Sequence, residues 1–157
     1  MIASFPPELE RHRESAPVQL TAMAKALGVP VYLSTMPPSI SGLIEPDESS
    51  ESGFRIRINR HEIAERQRFT LAHEIAHFLL HRSLIGGGVV DDTMYRSALS
   101  SRREVEANKL AAELCMPRDL VLKERKLRQQ LDDDSLVDEL ARVFKVSRQA
   151  MRIRLGV

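Results

Sequence analysis

Two histidines four residues apart with a glutamate directly after the first, His73-Glu74-Ile75-Ala76-His77, form the pattern H-E-x-x-H. On a helix, residues four apart lie roughly 40° from each other on one face, so both imidazoles can reach a single metal ion. The glutamate between them stands where it can hold and deprotonate a metal-bound water. The apolar flanks Phe69, Leu71, Ile75, Phe78, Leu79 and Leu80 make the helix amphipathic, which argues against two histidines merely solvated on a surface. The chemistry implied is metal-assisted hydrolysis, with one Zn2+ per chain held by His73 and His77, and Glu74 as the general base.

A zinc ion that keeps one coordination position for water needs a third protein ligand. No histidine follows His81 and Cys115 is the sole cysteine, so a carboxylate is the expected donor. A helix predicted over 102–115 carries Glu104, Glu106 and Glu113. Glu104, Asn108, Ala111, Ala112 and Cys115 share a face of mainly small residues, which would let this helix approach the metal helix closely. Glu106 and Glu113 fall on the opposite, charged face with Arg102, Arg103 and Lys109, and read as solvated. Glu104 is therefore the expected third ligand, and Asn108, one turn on, is placed to hydrogen-bond a ligating histidine. A further group must steady the oxyanion of a tetrahedral intermediate; Tyr95, His81 and His61 are the candidates for oxyanion or substrate contacts. His81 reads equally well as a helix-terminal histidine favoured by the dipole. Cys115 reads as a small packed residue rather than a ligand.

The elements that must position these residues can be read from periodicity and punctuation. Residues 1–16 are polar and expected to be flexible. Pro17 opens a helix predicted over 17–27, which Gly28 ends. Short strands follow at 29–33 and 41–44, then a turn or loop over 45–53. Phe54-Arg55-Ile56-Arg57-Ile58-Asn59 alternates with period two, a half-buried strand with its arginines outward. That strand could pair with an extended substrate if it lies at an edge, and could equally be a buried central strand. Helix is predicted over 60–82 with a break near Glu65, and a long glycine-containing loop over 83–101. The helix 102–115 ends at Met116-Pro117, and further helices are predicted over 119–131, 136–144 and 148–155, the last two capped by Asp132-Asp133-Asp134-Ser135 and by Ser147. The fold class is therefore α+β, organised as a flexible segment 1–16, a catalytic domain 17–117, and a C-terminal helical subdomain 118–157 packed on it.

Composition bounds the setting. The chain of 157 residues, 43% apolar and 29% charged with a net charge of +1, suits one globular domain and predicts no strong global field. The charge is uneven: residues 1–50 hold three basic and six acidic side chains, and residues 142–157 hold five basic and none acidic. A single cysteine excludes an internal disulfide and fits a reducing compartment. No stretch approaches the roughly 18 apolar residues needed to span a bilayer, and the N-terminus has no apolar signal core. A cytoplasmic protein with no membrane partner is expected.

The run Arg68 to His81 and the later run Glu104 to Pro117 resemble the ImmA/IrrE family of bacterial zinc metallopeptidases. Its members carry R-F-T-x-A-H-E-x-x-H-x-x-x-H and then E-x-x-A-N/D-x-x-A-x-E-L-x-M-P. The resemblance covers nearly the whole chain and departs at Leu110, where the family usually has phenylalanine. It implies a thermolysin-like zincin core: a small twisted antiparallel or mixed sheet, an active-site helix and a glutamate-bearing helix. It also implies a peptidase that cuts a helix-turn-helix repressor, encoded nearby, in prophage, mobile-element or stress regulation. Carried over residue by residue, His73, His77 and Glu104 are zinc ligands and Glu74 the general base.

Two other functions compete. Leu140 to Leu155 has the spacing of a helix-turn-helix pair, in which Arg148, Gln149 and Arg152 would face a DNA groove. Its many apolar residues favour packing or docking over DNA reading, so direct sequence-specific DNA binding is not expected. The other alternative is a non-catalytic zinc-binding partner in a toxin–antitoxin or immunity pair, against which an intact Glu74 argues.

Overall fold

In a computed structural model, residues 7–85, 89–92 and 101–157 are described. Short helix α1 (Pro7–Glu10) and a 3-10 turn at Arg11–Arg13 lead to α2 (Leu20–Ala26). Strands β1 (Val31–Ser34), β2 (Ile40–Pro46) and β3 (Phe54–Asn59) precede the long helix α3 (Ala64–His81). Then come β4 (Val89–Asp92), α4 (Ser101–Cys115), α5 (Arg118–Lys126), α6 (Asp133–Phe144) and α7 (Arg148–Leu155). The class is α+β, and the sheet is mixed.

The four strands lie in the order β1-β3-β2-β4. β1 runs parallel to β3, while β2 is antiparallel to both β3 and β4. The arginine-bearing strand is thus central, hydrogen-bonded on both sides, and has no free edge for a substrate. Its alternation is as read. Ile56 and Ile58 are buried with Ile44 beneath α3, and Arg55 and Arg57 point away to ion pairs with Glu45 at 2.5 and 3.1 Å.

Gly42, opposite Ile58 in the register, is where α3 crosses the sheet. A Cβ at Gly42 would lie 2.7 Å from Thr70 Cγ2 and 2.9 Å from the carbonyl oxygen of Arg57, closer than carbon contacts permit. Thr70 is one turn before His73 and Glu74, so this close approach sets the depth of the metal helix. Gly42→Ala is expected to cost about 1–3 kcal/mol through forced displacement. A lower denaturation midpoint, partly recovered on adding Thr70→Ser, would show it.

α4 lies along α3 and buries Ala107, Leu110, Ala111, Leu114 and Cys115. The same apolar core continues into Leu120, Val121, Leu136, Val137, Leu140, Phe144, Met151 and Leu155 of the last three helices. Asp132 Oδ1 accepts from the backbone N–H of Ser135 at 2.8 Å, and Ser147 Oγ from that of Ala150 at 3.0 Å, so both caps form. Lys145 takes a left-handed conformation with φ 56° and turns the chain between α6 and α7. Among the described residues, no helix is long and apolar enough to cross a membrane.

Several expectations change. Residues 7–16, read as flexible, pack on the core: Leu9 is fully buried, and Arg13 pairs with Glu10 and Glu113 at 3.2 and 3.5 Å. Leu9 and the long-range ion pair of Arg13 with Glu113 help to anchor a segment whose composition is polar. α2 begins at Leu20 rather than Pro17, because Val18 is itself a core residue and its carbonyl accepts from Arg68 Nη2 at 3.0 Å. α3 starts at Ala64 and is not broken at Glu65. The stretch read as one loop over 83–101 contains β4, a strand too short to show a period and supplied by pairing with β2.

Candidate metal centre

The site is built on α3, and the turn before it is fixed by a buried amide. Asn59 Nδ2 donates to the carbonyls of Met36, Pro37 and Ile40 at 3.3, 3.2 and 2.9 Å. Its Oδ1 accepts from the backbone N–H of His61 at 3.1 Å, and Gln67 Nε2 donates to the Asn59 carbonyl at 3.1 Å. From this turn α3 runs inward, and His73, Glu74, His77 and His81 are all buried.

His73 Nε2 and His77 Nε2 lie 3.0 Å apart. Glu104, reaching across from α4, puts Oε2 3.3 Å from the first and Oε1 3.2 Å from the second. These residues are a group whose donor atoms could hold one metal ion. Tetrahedral zinc with bonds of about 2.0–2.1 Å has ligand atoms roughly 3.3–3.4 Å apart, close to the separations observed. Two imidazole nitrogens and one carboxylate also match the donor types zinc takes in hydrolytic sites. Burial is the main influence on the His77 ring and pushes its pKa down; the hydrogen bond the ring can donate to Glu104 opposes this and the neighbouring His73 reinforces it. A neutral ring is what a metal requires.

Glu74 is fully buried, and neither carboxylate oxygen has a hydrogen-bond partner among the described residues. A buried carboxylate without a partner is costly. Such a group fits a site that takes in water or a substrate proton.

The other residues singled out from the sequence fall elsewhere. Asn108 is exposed. The buried line of α4 is centred roughly 50° from Glu104 on the side away from Asn108, which turns the amide to solvent rather than toward a histidine. His61 is exposed in the β3–α3 turn. Tyr95 lies outside the described residues. His81 is 4% exposed and sits behind His77 rather than beside the donor atoms, with its Nδ1 3.2 Å from His77 Nδ1. Its Nδ1 thus meets the side of the His77 ring opposite the Nε2 that faces Glu104.

Glu106 and Glu113 are not idle on a solvated face. Glu106 Oε1 lies 3.5 Å from His81 Nε2. Glu113 lies between Arg13 and Arg154 at 3.5 and 3.4 Å and accepts from the backbone N–H of Arg118 at 3.2 Å. It ties the N-terminal segment, α4, α5 and α7 together. The sequence signal for these roles was faint: His81 continues the i, i+4 series of His73 and His77, whereas nothing local links Glu113 to Arg13 or Arg154.

On α7, Arg148 pairs with Asp138, and Arg152 Nη2 lies 2.9 Å from Asp134. The two arginines placed for a DNA groove are thus held by carboxylates of α6, while Gln149 is exposed.

A family model of peptidases, described as the IrrE N-terminal-like domain, matches residues 24–156. Among solved structures, a Mycobacterium tuberculosis transcriptional regulator is similar in fold, with a TM-score of 0.57 and 19% sequence identity. The similarity covers 96% of this chain and 45% of that one, so this chain spans less than half of that structure. No curated protein matches the chain.

Proposed function

Because the chain belongs to the peptidase family of the IrrE N-terminal-like domain, we propose that it is a zinc-dependent endopeptidase whose substrate is a helix-turn-helix repressor. The observation that carries this reading is the convergence of His73 Nε2, His77 Nε2 and the Glu104 carboxylate, together with a buried Glu74 whose carboxylate has no hydrogen-bond partner among the described residues. A metal site built for structure alone would close its fourth position with another side chain, and no fourth donor joins this group among the described residues.

His73, His77 and Glu104 would hold one zinc ion. When bound, zinc supplies Lewis acidity, polarising the scissile carbonyl and making water a competent nucleophile near neutral pH. Glu74 takes a proton from the attacking water as the new carbon–oxygen bond forms. It then passes that proton to the amide nitrogen as the carbon–nitrogen bond breaks, leaving a carboxylic acid and an amine, and the remaining water proton moves from acid to amine to give carboxylate and ammonium. Burial of Glu74 and His77 keeps bulk water from competing for that proton.

The repressor substrate is supported by the family resemblance alone, and a repressor encoded beside the gene is the first to try. Pairing of Arg148 and Arg152 with aspartates favours a packing or docking role for the C-terminal helices over DNA reading, since a phosphate would have to displace an existing carboxylate. A cytoplasmic location accords with a repressor substrate and a lone thiol.

The purified chain should cut such a repressor into discrete fragments with zinc present, stop when a chelator is added, and resume when zinc is restored. Stoichiometric zinc binding with an intact repressor after prolonged incubation would instead make the protein a non-catalytic binding partner.

A further inference from the structure

Two ring nitrogens of the same kind face each other behind the metal site. His77 Nδ1 and His81 Nδ1 are 3.2 Å apart, and both residues are buried. One nitrogen must carry the proton and the other must accept it. The two arrangements differ in consequence. If His81 donates, the proton of neutral His77 sits on Nε2 and blocks the nitrogen that faces Glu104 and His73. If His77 donates, its Nε2 lone pair is free and His81 carries its own proton on Nε2. That second proton then points at the Glu106 carboxylate, 3.5 Å away. Glu106 therefore favours the arrangement that leaves His77 able to bind a metal.

We propose that His81 is a positioning residue for His77, itself oriented by Glu106. The two form a relay running from a half-exposed carboxylate on α4 through His81 to the back of the metal-facing ring. This rests on the reading of His73, His77 and Glu104 as a zinc site. The relay fixes the ring's tautomer and rotation before the metal arrives, and partners of this kind commonly govern about 10–100-fold in metal affinity. It also explains why a third histidine is buried at the end of α3 although it contributes no donor atom to the metal-binding group. Because Glu104 and Glu106 sit on one helix, α4 supplies both the third ligand and the brace for the second.

Zinc affinity of the full chain, measured by competition with a chromogenic chelator, tests the relay. His81→Leu, similar in bulk but unable to accept, should weaken binding about 10–100-fold, whereas His81→Gln, which keeps an acceptor, should restore much of it. Glu106→Ala should weaken binding several-fold and Glu106→Gln much less. Glu106 is half exposed, so these two variants retain the fold even if His81→Leu does not. A second readout is the His77 Nδ1 proton in nuclear magnetic resonance spectra of zinc-loaded protein. It should be visible and slow to exchange in wild type and in Glu106→Gln, and lost or rapidly exchanging in His81→Leu. Wild-type affinity in His81→Leu and Glu106→Ala, with the proton unchanged, overturns the relay and leaves the zinc site standing. A wild type that binds no zinc removes the zinc site and the relay together.

Discussion

Glu74→Gln is expected to bind zinc as wild type does and to lose repressor cleavage by about 10²–10⁴-fold, the usual cost of removing a general base. The side chain makes no hydrogen bond to another described residue, so the amide breaks no existing contact. The metal-free variant should keep about the stability of metal-free wild type, because an amide of the same shape replaces a carboxyl group that has no hydrogen-bond partner among the described residues. Most inactivating core substitutions lower activity and stability together; here they should part. A Glu74→Gln protein that still cuts the repressor at the wild-type rate would show that the proton moves through another group.

The second large effect concerns the coupling of metal to folding. Zinc at about 1,000 times its dissociation constant stabilises a one-site protein by roughly 4 kcal/mol. Wild-type protein should show a shift of that order between chelator and excess zinc in a denaturant titration. In Glu104→Ala two histidines remain, and the shift should fall below about 1 kcal/mol. Glu113→Ala is the informative control, since it removes a carboxylate from the same helix. It strips Arg13 and Arg154 of their shared partner, so the protein should be weaker throughout yet keep its full response to zinc. Equal responses in Glu104→Ala and wild type would remove Glu104 from the ligand set.

The central geometry was legible because it is local. His73, Glu74 and His77 lie within five residues, and helical periodicity alone puts the two imidazoles on one face. Glu104 could be reached from its small-residue neighbours, since Ala111 and Cys115 mark the side of α4 that packs. The same argument misplaced Asn108, because a helical wheel gives neighbours but not the rotation at which the helix docks. Leu110 and Leu114, both buried, pull the packed line away from Asn108. The strand at Phe54–Asn59 was readable from its period, but its central position follows from pairing with β1 and β2, segments distant in sequence. β4 and the anchoring of Leu9 and Arg13 likewise depend on partners that no local window contains. For His81 two readings stood open, an oxyanion or substrate contact and a helix-terminal histidine, and its meeting with His77 Nδ1 depends on side-chain rotations that a helical wheel does not give.

Cys115 is fully buried in the same core that carries Glu104's helix, and burial pushes its thiol up to about 12 against the pull of Arg68 and Arg154. A thiol in that state is inert to alkylating reagents and oxidants until the core around it opens. As the sole cysteine of the chain, it is a built-in clock: its labelling rate counts openings of the α3–α4 core, one molecule at a time. A metal ion held by His73 and His77 of α3 and Glu104 of α4 would tie those two helices together, so zinc is expected to slow that clock, a readout that needs neither substrate nor an introduced probe.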